Sequence, residues 1–296
     1  MNPSSRTLGL TLGLIAVVMF SGSLPANREA VADLSPWFVT AGRATIAGVI
    51  AIALIAIRRP AFPRAFVGRL SLIALCLVVG FPAAIAVASV TVPSSHGAVV
   101  LGLLPLATAI AAVPIAGERP SIWFWLLGIA GAVIVAVYAL RGGDSDIVTG
   151  DVYLALAVML TGVGYTLSGT MARTVPGWQV IAWALVLTFP FALAAAIALW
   201  PADAASVRWR SWAGLFYGGI IVQFVAYACW NAALAIGGVA RVGQLQVLQP
   251  FFTILIAAAV LGEAIDAETI LFAVAIVIVV ALSRRTTIRE RPTAAG

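Results

Sequence analysis

In the C-terminal third of the chain, polar side chains recur at helical spacing inside an otherwise apolar run. Between Val239 and Glu263 (VARVGQLQVLQPFFTILIAAAVLGE), Gln246, Gln249 and Thr253 stand three and four residues apart, which places them on one face of a helix. Pro250 falls among them and frees a backbone carbonyl. Gln223, Tyr227, Trp230 and Asn231 form a second stripe of this kind, and Thr161, Tyr165 and Ser168 a third. Amides, hydroxyls and rings arranged in this way hydrogen-bond and stack on a small amphiphilic solute. The same residue types also serve as interhelical glue, worth about 0.6 kcal/mol and at most roughly 1.7.

Two single residues add charge. Arg43 is the only charge well inside an apolar segment, where an unpaired cation costs from about 2.5 to above 10 kcal/mol depending on relaxation. Two readings stand: it snorkels to the headgroups from about two turns inside the segment, or it holds a substrate carboxylate or a helix terminus. His96, the only histidine, opens another segment; it is either a proton-coupled gate or a solvated interfacial residue. Glu118 and Glu263 follow helix-ending glycines and read as caps of the helices that come next.

Enzyme chemistry is not indicated. The chain has no HExxH, GxSxG or GxxxxGK[ST] motif, and one histidine cannot build a paired-histidine metal site. Cys76 and Cys229 lie in apolar segments without ligand spacing. We therefore expect no catalytic residues, no metal and no cofactor.

The elements that carry these residues are membrane helices. Hydrophobic residues make up 62% of the chain and charged residues 9%, with a mean hydropathy of +1.10. Continuous apolar runs of about 20 residues cross a bilayer as helices, and they lack the alternation of a barrel. Ten segments are expected, at roughly 7–26, 36–57, 69–91, 96–116, 121–140, 150–172, 177–199, 210–235, 240–261 and 267–283. The first could also be read as a signal peptide, but its removal would leave nine helices.

All 17 basic residues are arginines. With the N-terminus inside, twelve of them (Arg6, Arg58, Arg59, Arg64, Arg69, Arg119, Arg173, Arg241, Arg284, Arg285, Arg289, Arg291) face the cytoplasm and four (Arg28, Arg141, Arg208, Arg210) face outward. Both termini are then cytoplasmic. The basic balance reports orientation in a bilayer, and no nucleic-acid partner is expected.

A shift of 145 residues lays Leu103, Pro105, Thr108, Ala112, Gly117 and Glu118 on Leu248, Pro250, Thr253, Ala257, Gly262 and Glu263. It carries helices one to five onto six to ten. Five is odd, so the halves face opposite ways, and inverted repeats place a substrate site near the midplane between them. The expected fold is thus all-α: two inverted five-helix repeats over 1–143 and 144–285, then a cytoplasmic tail over 286–296.

The doubled pattern of Pro105 with Gly117-Glu118 and Pro250 with Gly262-Glu263 resembles the drug/metabolite transporter superfamily, specifically its ten-helix EamA-type members. The overall run is also similar to the YddG-type aromatic amino acid exporters. The resemblance implies a bacterial inner-membrane exporter of amino acids or related metabolites, with a central cavity lined by helices one, three, four, six, eight and nine. The small multidrug relatives bind cations through a glutamate in the first helix; here no charge lies between Arg6 and Arg28. The first-half counterparts of the polar stripes are nearly all apolar: Val78, Pro82, Ile85 and Ala86, then Leu101, Leu104, Pro105 and Thr108.

The expected function is a secondary exporter of amino acids, aromatic or otherwise amphiphilic, or related small metabolites, working as a monomer by alternating access. Uptake of a neutral metabolite and lipid scrambling are the alternatives. Substrate contacts fall to Gln246, Gln249, Thr253, Trp230, Asn231, Tyr227, Gln223, Tyr165 and Arg43, and gating or coupling to His96, Pro105 and Pro250.

Overall fold

The computed structural model describes residues 3–141, 145–172, 174–237, 242, 244–283 and 288–290. Arg173, Arg241, Arg284, Arg285 and Arg291, used above for orientation, lie outside them.

The described chain is helical apart from one short ladder. Its helices are α1 (Pro3–Ser21), α2 (Ser23–Ala30), α3 (Pro36–Arg58), α4 (Val67–Ile73), α5 (Phe81–Thr91), α6 (Ser94–Leu101) and α7 (Leu104–Ala116). After them come α8 (Ile122–Arg141), α9 (Ser145–Met171), α10 (Gly177–Ala198), α11 (Trp209–Phe216), α12 (Tyr227–Gly237), α13 (Gln249–Leu261) and α14 (Ala267–Ser283). Two short strands that the apolar pattern did not announce, β1 (Glu118–Pro120) and β2 (Ile288–Glu290), pair antiparallel.

Several of these helices run on into one another. Among the described residues, seven stretches are long and apolar enough to cross a bilayer: Thr7–Ala30, Pro36–Arg58, Arg64–Thr91, Ser94–Ile115, Thr149–Met171, Gly177–Ala198 and Trp209–Ala233. Three shorter apolar helices accompany them, Trp125–Tyr138, Leu245–Leu261 and Ala267–Leu282. This is a multi-pass membrane protein.

Prolines set the breaks. A proline has no N–H for the carbonyl four residues back and crowds it as well. Pro25 thereby separates α1 from α2 at Gly22. Pro105 and Pro250 were expected in mid-helix, but each occupies the second position of a restarted helix, after the turn at Gly102–Leu103 and after the 3-10 turn Gln244–Leu248 respectively.

At Pro82 the chain responds differently and winds Ala74–Gly80 as a π-helix. There the Phe81 N–H reaches back to the Cys76 carbonyl, five residues away. The next carbonyl in that register, Leu77, would need the N–H that Pro82 lacks. Gln223 Nε2 donates to it at 3.0 Å from a second π-helix, Tyr217–Ala226. A backbone acceptor left open in one stretch is thus closed by a side chain of another, as a bilayer requires.

The most extensive packing joins the first part of the chain to the second: α3 with α10, α1 with α12, α5 and α7 with α9, and α8 with α14. Small residues permit the closest approaches. A Cβ at Gly214 would fall on the Ala26 carbonyl oxygen, and one at Gly162 would lie 2.7 Å from the Ala107 backbone. Gly117 and Gly262 end α7 and α13 at φ of 73° and 69°, the left-handed conformation that favours glycine.

One end of the bundle is tied by charge. Pro93, the residue before α6, offers no side-chain cap, and Glu263 instead accepts from the Ser94 and Ser95 N–H groups at 2.8 Å each. Glu263 was expected to serve the helix that follows it; it serves α6, from across the fold. The Arg28 guanidinium donates to the Ser89, Val90 and Val92 carbonyls at the end of α5. Helix polarity favours both, an anion at the N-terminus and a cation at the C-terminus.

On the same end Asp33 accepts from Arg208 Nε at 2.8 Å and from Ser211 Oγ at 2.7 Å. The Arg208 side chain, then the Ser211 hydroxyl, hold the Asp33 carboxyl below its usual 3.8. A lowered native pKa means that this tie is fully in force above the unfolded-state value and is lost as pH falls through the native one. The melting temperature of wild type should therefore exceed that of Asp33→Asn at neutral pH, with the gap closing only below about pH 3.8; thermal unfolding of both proteins in detergent across pH 2.5–7 measures it.

Candidate functional site

The four proline breaks and the second π-helix converge on one buried cavity. From the first part of the chain it is lined by Phe20, Ser23 and Leu24 beside the Gly22 break, Phe81 at the end of the first π-helix, and Leu101 and Leu104 across the α6–α7 turn. From the second part come Tyr165 of α9, Val222 of the second π-helix, and Gln249 and Thr253 of α13. The first set is apolar except for Ser23, and the second supplies three hydrogen-bonding groups. The cavity has about 10 Å³ of free volume, enough for a water and far too little for a metabolite.

Of the residues singled out from sequence, Tyr165, Gln249 and Thr253 line this cavity. Gln246 does not: it sits in the 3-10 turn ahead of α13, out of phase with Gln249, buried and with its Nε2 unpaired. Gln223 is likewise out of phase with Tyr227, Trp230 and Asn231, because it lies in Tyr217–Ala226, which is not wound at 3.6 residues per turn, while the other three share the ordinary helix α12. Asn231 donates to the Gly177 carbonyl at 3.0 Å and fastens α12 to α10. Trp230 and Tyr227 stand behind the wall, edge-on to the lining Phe20 with ring centroids 6.4 and 5.1 Å away. Tyr227 also meets Tyr165 edge-on at 6.0 Å, and its hydroxyl is buried. Thr161 bonds back to its own helix at the Ala157 carbonyl, and Ser168 is buried.

Arg43 does not snorkel. Its side chain is 1% exposed and lies between α2 and the second π-helix. Nη1 donates to Asn27 Oδ1 at 3.2 Å and Nη2 to Gln223 Oε1 at 3.3 Å, while Nε is buried without an acceptor. No described carboxylate bonds to this cation. Gly218 makes the space for it: a Cβ there would stand 2.8 Å from Arg43 Cδ and 2.9 Å from Nε. An uncompensated buried charge costs several kcal/mol even after relaxation.

The residues that sequence reading missed are Ser23 and Asn27. Asn27 Nδ2 donates to the Ser23 carbonyl at 2.7 Å and reaches Ser23 Oγ at 3.5 Å, which joins the Arg43 cluster to the cavity wall. Pro25 was the available signal, since a proline inside an apolar run marks a break and a cavity gathers at breaks.

His96 belongs to the charged end of the bundle. Its Nε2 lies 2.9 Å from Asp151 Oδ1 on α9, and its ring stacks on Tyr138 at 4.5 Å. The Tyr138 hydroxyl pairs with Thr269 Oγ1 at 3.0 Å, and Asp266 in turn caps Thr269. Pro105 and Pro250 do not enter the lining; they place the turns on which Leu101, Leu104 and Gln249 are carried.

The model of the EamA-like transporter family matches the chain twice, at residues 7–140 and 148–285. The chain belongs to the EamA-like transporter family. That family places it in the drug/metabolite transporter superfamily, and the cavity is walled by both of its EamA matches. The chain is 39% identical over 283 residues to "Uncharacterized transporter YdeK" of Bacillus subtilis (strain 168), covering 95% of this chain and 99% of that one. A solved crystal structure, described only as that of a protein, is similar in fold with a TM-score of 0.62 at 22% identity, over 94% of this chain and 96% of its own.

The fit between Gly218 and Arg43 can be measured by a double-mutant cycle. Gly218→Ala alone should destabilise by about 1–3 kcal/mol through overpacking. In an Arg43→Ala background most of that penalty should vanish, a coupling of at least about 0.5 kcal/mol, read from thermal unfolding of the four proteins.

Proposed function

We propose that this EamA-family protein is a secondary transporter that exports small amphiphilic metabolites, aromatic amino acids among them, across the bacterial inner membrane by alternating access. The observation that carries the reading is the cavity between the two EamA matches, with an apolar wall from one and Tyr165, Gln249 and Thr253 from the other. Such a wall accepts a ring or an aliphatic chain, and the hydroxyls and the amide orient a polar end.

Ten crossings in two inverted halves fit the same picture. The shorter α14 has 17 residues, about 26 Å at 1.5 Å per residue, close to a hydrocarbon core of roughly 30 Å. Related features recur at the repeat spacing: 13-residue helices α7 and α13 that begin with a proline in second place and end on left-handed Gly117 and Gly262, and π-helices at Ala74–Gly80 and Tyr217–Ala226. The cross-packing supports it too, because α1 with α12 exchanges with α9 with α5 when the halves are swapped.

Alternating access then requires one end to part while the other closes. With cytoplasmic termini, as the arginine distribution favours, the charged end carrying Glu263, His96, Asp151 and Asp33 faces outward. Those ties bind the first half to the second and hold the outer side shut. Release to the outside requires that they separate.

Counterflow in proteoliposomes tests the function. Vesicles loaded with unlabelled phenylalanine or tryptophan should accumulate the labelled amino acid transiently, and Thr253→Val with Gln249→Ala should slow this at least about tenfold through the loss of two hydrogen bonds of roughly 1 kcal/mol each. Absence of counterflow for every amino acid and nucleoside tried, with a folded protein, would contradict the reading.

A further inference from the structure

Within that transport reading, we propose that the cavity is built for a solute bearing a carboxylate, and that Arg43 supplies its countercharge through a fixed relay of donors ending at Ser23. The inference rests on transport through this cavity and specifies the chemical class of what enters it.

The relay has one direction. Arg43 Nη1 can only donate, and it donates to Asn27 Oδ1 at 3.2 Å. That orients the Asn27 amide with its NH2 away from the arginine, where Nδ2 reaches the Ser23 carbonyl at 2.7 Å and Ser23 Oγ at 3.5 Å. Ser23 Oγ is thereby an acceptor on one side. Its own hydrogen has no bonded acceptor among the described residues, and Ser23 lines the cavity. The Asn27 amide thus points its positive end toward Ser23, and aligned dipoles of this kind reinforce one another. What the wall presents at that point is a donor backed by a full positive charge.

On the other side of Arg43, Gln223 accepts at Nη2 and passes its NH2 to the Leu77 carbonyl, so that the guanidinium meets only neutral acceptors. The cation keeps its full charge in a site closed to water. A bundle that needed only glue at this position would be served by a neutral side chain, and ionisable residues inside a membrane bundle mark substrate or ion paths. The cavity wall itself contains no Asp or Glu, which leaves the solute to bring the negative charge. Its aromatic lining, Phe20, Phe81 and Tyr165, suits an apolar group on the same molecule.

The test compares two probes of nearly equal shape that differ in charge, phenylacetate and phenylacetamide, by the thermal shift of the purified full-length protein and by competition with counterflow. Phenylacetate should shift the melting temperature of wild type at concentrations at least about tenfold lower than phenylacetamide, the factor expected of a charge-assisted hydrogen bond. Arg43→Gln should melt no lower than about 3 °C below wild type while the two probes become equivalent, and Ser23→Ala, which leaves the buried cluster in place, should reduce the preference by itself. Equal response of wild type to both probes, no response to phenylacetate up to its solubility limit, or a preference that survives in both variants would overturn the inference. Competition separates the two proposals: counterflow inhibited equally by both probes removes the charge requirement and leaves transport standing, whereas absence of any counterflow removes transport, and the thermal shifts still decide whether the cavity binds a carboxylate.

Discussion

A backbone acceptor opened inside a bilayer must find a donor within the protein. Prolines open such acceptors in this chain, inside helices at Pro114 and Pro190 and at the breaks or windings marked by Pro25, Pro82, Pro105 and Pro250. The breaks are closed in part by side chains from elsewhere in the sequence. Gln223 closes the Leu77 carbonyl in this way, and near the break at Gly22 Tyr217 also donates to the Met19 carbonyl at 2.9 Å while Ser21 lies 3.3 Å from the Gln249 carbonyl. Each of these bonds joins the first EamA match to the second. The broken helices cannot relax independently, and a cavity persists where they meet.

The same constraint explains how a cation survives at 1% exposure. Breaking α1 from α2 turns Ser23 and Asn27 toward the bundle interior, and the π-helix at Tyr217–Ala226 brings Gln223 opposite them. Gly218 then leaves the width that a guanidinium needs. Stability is given up at this position, because two neutral oxygens do not replace a hydration shell. Function accounts for the loss when the charge is used on a solute.

Much of the architecture was legible in the sequence. Continuous apolar runs, arginine at their flanks and the doubled Pro105/Pro250 pattern point to a helical membrane bundle with related halves, and the family match covers both. Gln249, Thr253 and Tyr165 were reachable because α13 and α9 keep the ordinary helical period through those residues. Gln246 and Gln223 depart from their stripes for the opposite reason: a 3-10 turn and a π-helix alter the period there, and nothing in a run of apolar residues reports winding. Glu263 capping α6 and Asn27 meeting Arg43 are tertiary contacts over 169 and 16 residues, invisible to local spacing.

Under the proposed transport, solute passes through the cavity bounded by Thr253, Gln249 and Tyr165. Site-directed labelling addresses it most directly. In a functional background with Cys76 and Cys229 replaced by alanine, Thr253→Cys is exposed to a small membrane-impermeant thiol reagent while the transporter cycles in vesicles. Labelling is expected during turnover, slowed by the transported solute in proportion to its occupancy. A Cys at position 253 that reacts from neither side during turnover, or reacts at one rate with and without solute, would contradict it.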